Sequence, residues 1–100
     1  MILYNITVII DEGIEQEWLN WINSVHIPEV MTKGQFVSHR LLKVLESPNE
    51  GITYCIQYIA ESKAMYDQYR LEFENVLLNK LQTQFENKLV SFKTIMEFTD

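Results

Sequence analysis

The chain has 100 residues, enough for one domain spanning 1–100 and no second. Eight Lys and Arg stand against fourteen Asp and Glu, a formal net charge of −6, which disfavours a partner held by phosphate neutralisation, so no nucleic acid is expected. Apolar residues make up 47% of the chain, so disorder is excluded, and a single cysteine excludes an internal disulfide and a Cys-based zinc site.

Residues 2–10 alternate loosely, are rich in β-branched and aromatic types, and read as a strand. Asp11 can cap the helix after it. Apolar residues then recur at Ile14, Trp18, Trp21, Ile22 and Val25, a helical stripe with Glu15, Glu17, Asn20 and Asn23 off it. Pro28 interrupts and suits the first turn of a new helical piece, which Gly34 stops. Phe36 to Glu46 reads as a second strand. Ser47 to Gly51 carries a turn signal, so Ile52 to Ala60 folds back as a hairpin. Ser62 caps a long helical pattern through Met65/Tyr66, Tyr69, Phe73, Val76/Leu77, Leu81 and Phe85, with a kink or break expected near Glu74–Asn79. Val90 to Phe98 reads as the last strand. The order β-α-β-β-α-β points to an α+β, ferredoxin-like fold.

Charge placement sharpens the topology. Residues 1–10 and 51–60 contain no charged side chain, whereas the second strand carries Arg40, Lys43 and Glu46 and the fourth carries Lys93 and Glu97. The uncharged strands should be central and the charged ones at the edges, an antiparallel sheet of order 4-1-3-2. By parity, Ile2, Tyr4, Ile6, Val8 and Ile10 share a face with Ile52, Tyr54, Ile56 and Tyr58, under the helices. The opposite face shows Asn5, Thr7, Thr53, Cys55 and Gln57, flanked by Leu3, Ile9 and Ile59. It is polar but uncharged, as a covered, hydrogen-bonded face would be. The chain has no third layer to cover it; a second copy would supply one, giving a homodimer. The plainer alternative is that Thr and Gln merely suit a wet strand face.

These elements, with the segments Tyr4-Asn5-Ile6-Thr7, Trp18-Leu19-x-Trp21, His26-Ile27-Pro28-Glu29-Val30-Met31, Gly34-x-Phe36 and Thr53-Tyr54-x-x-Gln57-Tyr58, resemble a family of short bacterial proteins carrying a domain of unknown function. At the level of fold the chain resembles the dimeric α/β-barrel superfamily, which includes antibiotic-biosynthesis-type monooxygenases, other small cofactor-free enzymes and some haem-degrading proteins. The resemblance implies a dimeric α/β barrel. In some members a histidine near the position of His26 faces the lumen as acid, base or haem ligand, which makes His26 a candidate catalytic residue. Read by itself, His26 has a simpler role: at a helix C-terminus, where an imidazolium meets free carbonyls, or simply packed.

Asn5, Arg40, Thr53 and Gln57 would line a covered lumen and are the candidate ligand-binding residues. Arg40 is expected, with Lys93, to be the only cation near that face; it pairs with an anionic ligand group or, in the alternative, lies in solvent or meets Glu97 across a dimer. His39 has the opposite parity from Arg40. The pairs Trp18/Trp21 and Tyr66/Tyr69 read as core packing, and Cys55 as a buried small hydrophobe. Glu12, Glu15 and Glu17 form a solvated helix start. No phosphate loop, nucleophile elbow or metal-ligand spacing is present, so neither a metal nor another cofactor is expected. No apolar run approaches the ~18 residues that span a bilayer, and the N-terminal run lacks a basic flank, so a cytoplasmic location is expected.

Two functions compete. One is a small-ligand-binding protein, a monooxygenase-like enzyme acting without a cofactor on a small aromatic or polar substrate, using His26, Asn5 and Gln57. The other is a non-catalytic module whose covered face is only its dimer interface.

Overall fold

The computed structural model describes residues 1–100. Four strands form one antiparallel sheet: β1 (Ile2–Ile10), β2 (Ser38–Lys43), β3 (Ile52–Ala60) and β4 (Leu89–Glu97), in the order β2-β3-β1-β4. This is the ferredoxin-like arrangement, with the two charge-free strands at the centre. β2 is shorter than the expected Phe36 to Glu46. Its backbone pairing reaches a little further, from Val37 N–H on Ile59 to Val44 N–H on Thr53. Phe36 is a core plug rather than a strand residue.

Two helical runs cover one face. The first comprises α1 (Glu15–Trp21), a π-helical turn (Ile22–His26) and α2 (Ile27–Thr32). The second comprises α3 (Lys63–Tyr69), a π-helical turn (Arg70–Glu74) and α4 (Asn75–Gln84). Asp11 and Ser62 cap as expected, accepting from Gly13 N–H (2.8 Å) and Met65 N–H (3.2 Å). Pro28 does not break the first run. Its ring crowds the carbonyl four residues back and it has no N–H to give. The helix widens just before it, with Ile27 N–H reaching Ile22 C=O, five residues back. The second run has no proline. Its wide turn ends on Glu74, one of the buried residues.

Ile2, Tyr4, Ile6, Val8 and Ile10 of β1 are buried under these helices with Tyr54, Ile56 and Tyr58 of β3. Burying each such side chain contributes about 1.5–3 kcal/mol, so this layer dominates stability. Glu15, read as solvated, ties α1 to the sheet: it accepts from the Tyr54 hydroxyl (2.7 Å) and from Lys43 Nζ (3.1 Å). Those two bonds hold its carboxyl below the usual range. Burial, then the Glu15 contact, pushes the Tyr54 hydroxyl up to about 12. No helix is long and apolar enough to cross a membrane.

Gly51 closes the β2–β3 connection at φ +85°, and a Cβ there would lie 2.6 Å from the Ile10 carbonyl oxygen. Gly34 ends the first helical run at φ +90° with open space around it. Gly51→Ala should therefore cost more than the ~1 kcal/mol expected of Gly34→Ala, roughly 2–3 kcal/mol. Urea unfolding of the two variants checks the ranking.

Candidate functional site

The sheet has two faces and each carries polar groups. On the open face, register aligns Arg40 with Gln57, Gln57 with Asn5, and Asn5 with Thr94, one polar row across all four strands. The centre of the row is bonded into the sheet face. Gln57 Nε2 donates to Asn5 Oδ1 (3.2 Å), Asn5 Nδ2 donates to Thr7 Oγ1 (2.9 Å), and Thr7 Oγ1 lies 3.8 Å from Cys55 Sγ. Asn5 is buried although no layer lies over it. Thr53 is on the same face but away from the row, where Ser47 Oγ covers it at 3.1 Å.

Large apolar side chains flank the row. Val90, Phe92 and Met96 of β4 are 58%, 56% and 40% exposed, and register puts all three on the open face; Leu42 of β2 is 44% exposed there. No Asp or Glu stands at any strand position of this face. Lys93 and Glu97, expected near it, lie on the other side, opposite Ile6 and Ile2. The reason is the alternation of β4, which sends Val90, Phe92 and Met96 to the open face and Leu89, Lys93 and Ile95 to the helices.

His26 is separated from that row by the sheet. The helix continues past it, so it meets no free carbonyl. It is 1% exposed, and neither ring nitrogen has a partner in the protein. Its ring lies 5.3 Å from that of Trp21. Burial, with Lys80 nearby and against the pull of Glu29, lowers its pKa to about 4. At neutral pH it is an uncharged imidazole, able to give and accept one hydrogen bond but a weak base.

The helix-covered face holds a group of residues whose spacing in the sequence suggests only core. The rings of Tyr4, Phe36, Tyr58, Tyr66 and Tyr69 form one cluster, with centroids 4.8–6.0 Å apart in each contacting pair. Tyr66 donates to Glu74 Oε2 (2.7 Å), and Lys93 Nζ pairs with the other carboxylate oxygen. The Tyr4 and Tyr58 hydroxyls are buried without a partner, as are Trp18 Nε1 and Gln35 Oε1. Burial raises the pKa of Tyr4 and Tyr58, helped by Tyr69 and, for Tyr4, Glu74. Both stay protonated at physiological pH. Such groups lack an acceptor, and each unsatisfied donor costs about 1–3 kcal/mol. A signal for Glu74 does exist: it stands three residues before Leu77 and eight after Tyr66, on the inward stripe.

The fold and its two polar layers define a ferredoxin-like α+β protein with a bare sheet face and an aromatic, oxygen-lined interior. Residues 1–99 match the family described as a domain of unknown function, DUF4286, and the chain belongs to that family. No curated protein matches it. Among solved structures it is similar to a dimeric ferredoxin-like protein from an uncultured marine organism, at 17% identity and TM-score 0.73, over 100% of this chain and 96% of that one. It is also similar to the haem-degrader MhuD from Mycobacterium tuberculosis, solved with two haems in its active site. That match has 10% identity and TM-score 0.72, over 99% and 96% of the two chains. A third is a putative antibiotic biosynthesis monooxygenase from Bacillus cereus, at 10% identity and TM-score 0.69, over 99% and 93%. At these identities the likeness is one of fold.

Two measurements probe the interior. The folded chain keeps His26 neutral to about pH 4 while the unfolded chain protonates it near 6.5. Stability from this residue is thus full above pH 6.5 and falls as the pH drops towards 4. Between pH 7 and pH 5 it should cost about 2 kcal/mol; in His26→Leu that part of the decline should vanish, as thermal melts across this range will show. Lys93→Met strips the buried Glu74 carboxylate of its cation and should destabilise by about 2 kcal/mol, less than a fully buried pair because Lys93 is partly hydrated. Adding Glu74→Met should restore much of that loss in urea melts.

Proposed function

We propose that the chain is a homodimer paired through its open sheet faces, and that the packed helix-covered layer of each protomer parts to admit a small aromatic molecule bearing acceptor oxygens. The observation that carries the ligand reading is the pair of buried, unpartnered hydroxyls of Tyr4 and Tyr58 inside an aromatic cluster. Protonated phenols beside aromatic rings suit a flat molecule with a carbonyl or aryl-oxygen group. The similar folds of a monooxygenase and a haem-degrader support oxidation of such a molecule. Cofactor-independent oxygenation of an electron-rich ring consumes dioxygen, one oxygen atom replacing two ring hydrogens as a carbonyl and the other leaving with them as water, and it needs positioning and hydrogen bonds to the ring oxygen as charge develops. Tyr4 and Tyr58 are groups of that kind. His26 lies apart from the cluster, against Trp21, where its low pKa makes it a hydrogen-bonding group and a poor general base.

The dimer reading stands on the exposed apolar side chains Val90, Phe92, Met96 and Leu42 around an uncharged, self-bonded centre. A chain of net charge −6 repels its own copy, yet the open face is the place from which every carboxylate is missing. The self-bonded row Gln57–Asn5–Thr7 also favours a second reading, a pure assembly module. One Asn5 Nδ2 hydrogen and one Gln57 Nε2 hydrogen are already used within the sheet. The two readings agree on the dimer and differ on the interior.

Phe92→Asp places a carboxylate in the paired faces and should convert a dimer to a folded monomer, read by light scattering after gel filtration. For the interior, hydroxynaphthoquinone, anthrone and haem serve as probes in thermal-shift and tyrosine-fluorescence titrations. At least one should bind, and Tyr4→Phe and Tyr58→Phe should each weaken it about tenfold. The same two variants should be more stable than the parent without ligand, by about 1 kcal/mol, because each removes an unsatisfied hydroxyl. No binding by any probe, with both variants no more stable than the parent, would leave the assembly module as the answer.

A further inference from the structure

Arg40 is the single charged side chain at the strand positions of the open face. It is exposed, makes no ion pair and has no side-chain hydrogen bond within the chain. Its surroundings are donors. Ser38 is two residues along β2 on the same face, and Gln57 is directly opposite on β3. Gln57 Nε2 gives one hydrogen to Asn5 Oδ1 and keeps a second. Leu42, the next open-face residue on β2, supplies an apolar wall.

When two copies pair through this face, a conflict arises. Each brings one guanidinium, and the strand positions of neither face bring a carboxylate to meet it. A cation withdrawn from water without a counter-charge is costly. β2 is an edge strand, so Arg40 stands near the rim of the paired sheets, where a solute can still reach it. A planar guanidinium with two further donors beside it is matched by an oxyanion, which accepts two parallel N–H bonds.

We propose that Arg40, Ser38 and Gln57 form an oxyanion site at the edge of the dimer, completed by the face of the second copy. Its ligand is a small carboxylate or phosphate-type anion. This rests on the dimer reading above and adds a ligand class that the interior site does not take. Chloride is a weaker match, because a single acceptor atom must share the two N–H groups of the fork where an oxyanion gives each its own oxygen.

The test measures dimer dissociation by sedimentation equilibrium, with chloride exchanged for acetate, malonate or phosphate at fixed pH and ionic strength. One oxyanion at about ten times its dissociation constant should tighten the parent dimer by about tenfold or more over chloride. Comparing acetate and malonate with phosphate tells a carboxylate ligand from a phosphate one. Arg40→Lys should lose most of the response and Arg40→Gln all of it. In chloride alone, Arg40→Gln should dimerise at least as tightly as the parent, since it removes an unpaired charge. An equal response in Arg40→Gln overturns the site. Weaker dimerisation of Arg40→Gln in every salt also overturns it, because Arg40 then pairs with a carboxylate of the partner subunit. A dimer that ignores all three oxyanions defeats this inference alone, whereas a chain that stays monomeric defeats it together with the dimer.

Discussion

Two adjacent strands without a charged side chain govern the rest of this molecule. β1 and β3 pair over nine residues each, and their side chains leave the sheet on both sides. On the helix side the consequence is a core of Ile, Val and Tyr. On the other side it is a row of amides and hydroxyls that bond to one another. A charged side chain at the centre of either strand would have to be desolvated on the first side or break that row on the second. The edge strands can hold Arg40, Lys43 and Lys93 because their outer rims stay wet.

The two faces therefore divide the labour. The open face bonds Asn5 into the sheet, leaves Arg40 unpaired and displays bulk, as a face met by a second copy would. The covered face is a packed core holding hydroxyls and an imidazole that have not satisfied theirs. Asn5, Gln57 and Arg40, proposed from the sequence as ligand contacts, share one row; Thr53 is sealed under Ser47, and His26 belongs to the other layer. The structural likeness to proteins of several activities reaches as far as the backbone and no further.

Much of the fold was legible in the residues because charge and parity are coarse signals. Strand order needed only the empty stretches 1–10 and 51–60, and the two faces needed only a period of two. The site was less legible. Helical periodicity of 3.6 assumes an unbroken α register, and each of the two π turns shifts the phase by one residue. His26 and Glu74 each close such a turn. That is why His26 read as a terminal group and Glu74 as a break. Lys93 was misplaced for a different reason: in β4 the richer apolar parity faces outward, against the usual rule, and only the missing layer over the sheet explains it. Nothing in the sequence foretold Tyr54 bonding Glu15, since that contact joins residues 39 apart.

The wide turns carry a further consequence. A π turn amounts to a helix that has absorbed one extra residue without breaking. Removing one residue from 22–26 would leave a continuous α-helix with tighter backbone bonding. It would also swing everything on one side of the deletion by about a quarter turn about the axis, since each residue advances the helix by 1/3.6 of a revolution. Either Trp18 or Val30 would then leave the sheet. The surplus residue therefore acts as a spacer between two inward stripes of different phase, and the imidazole sits at the seam.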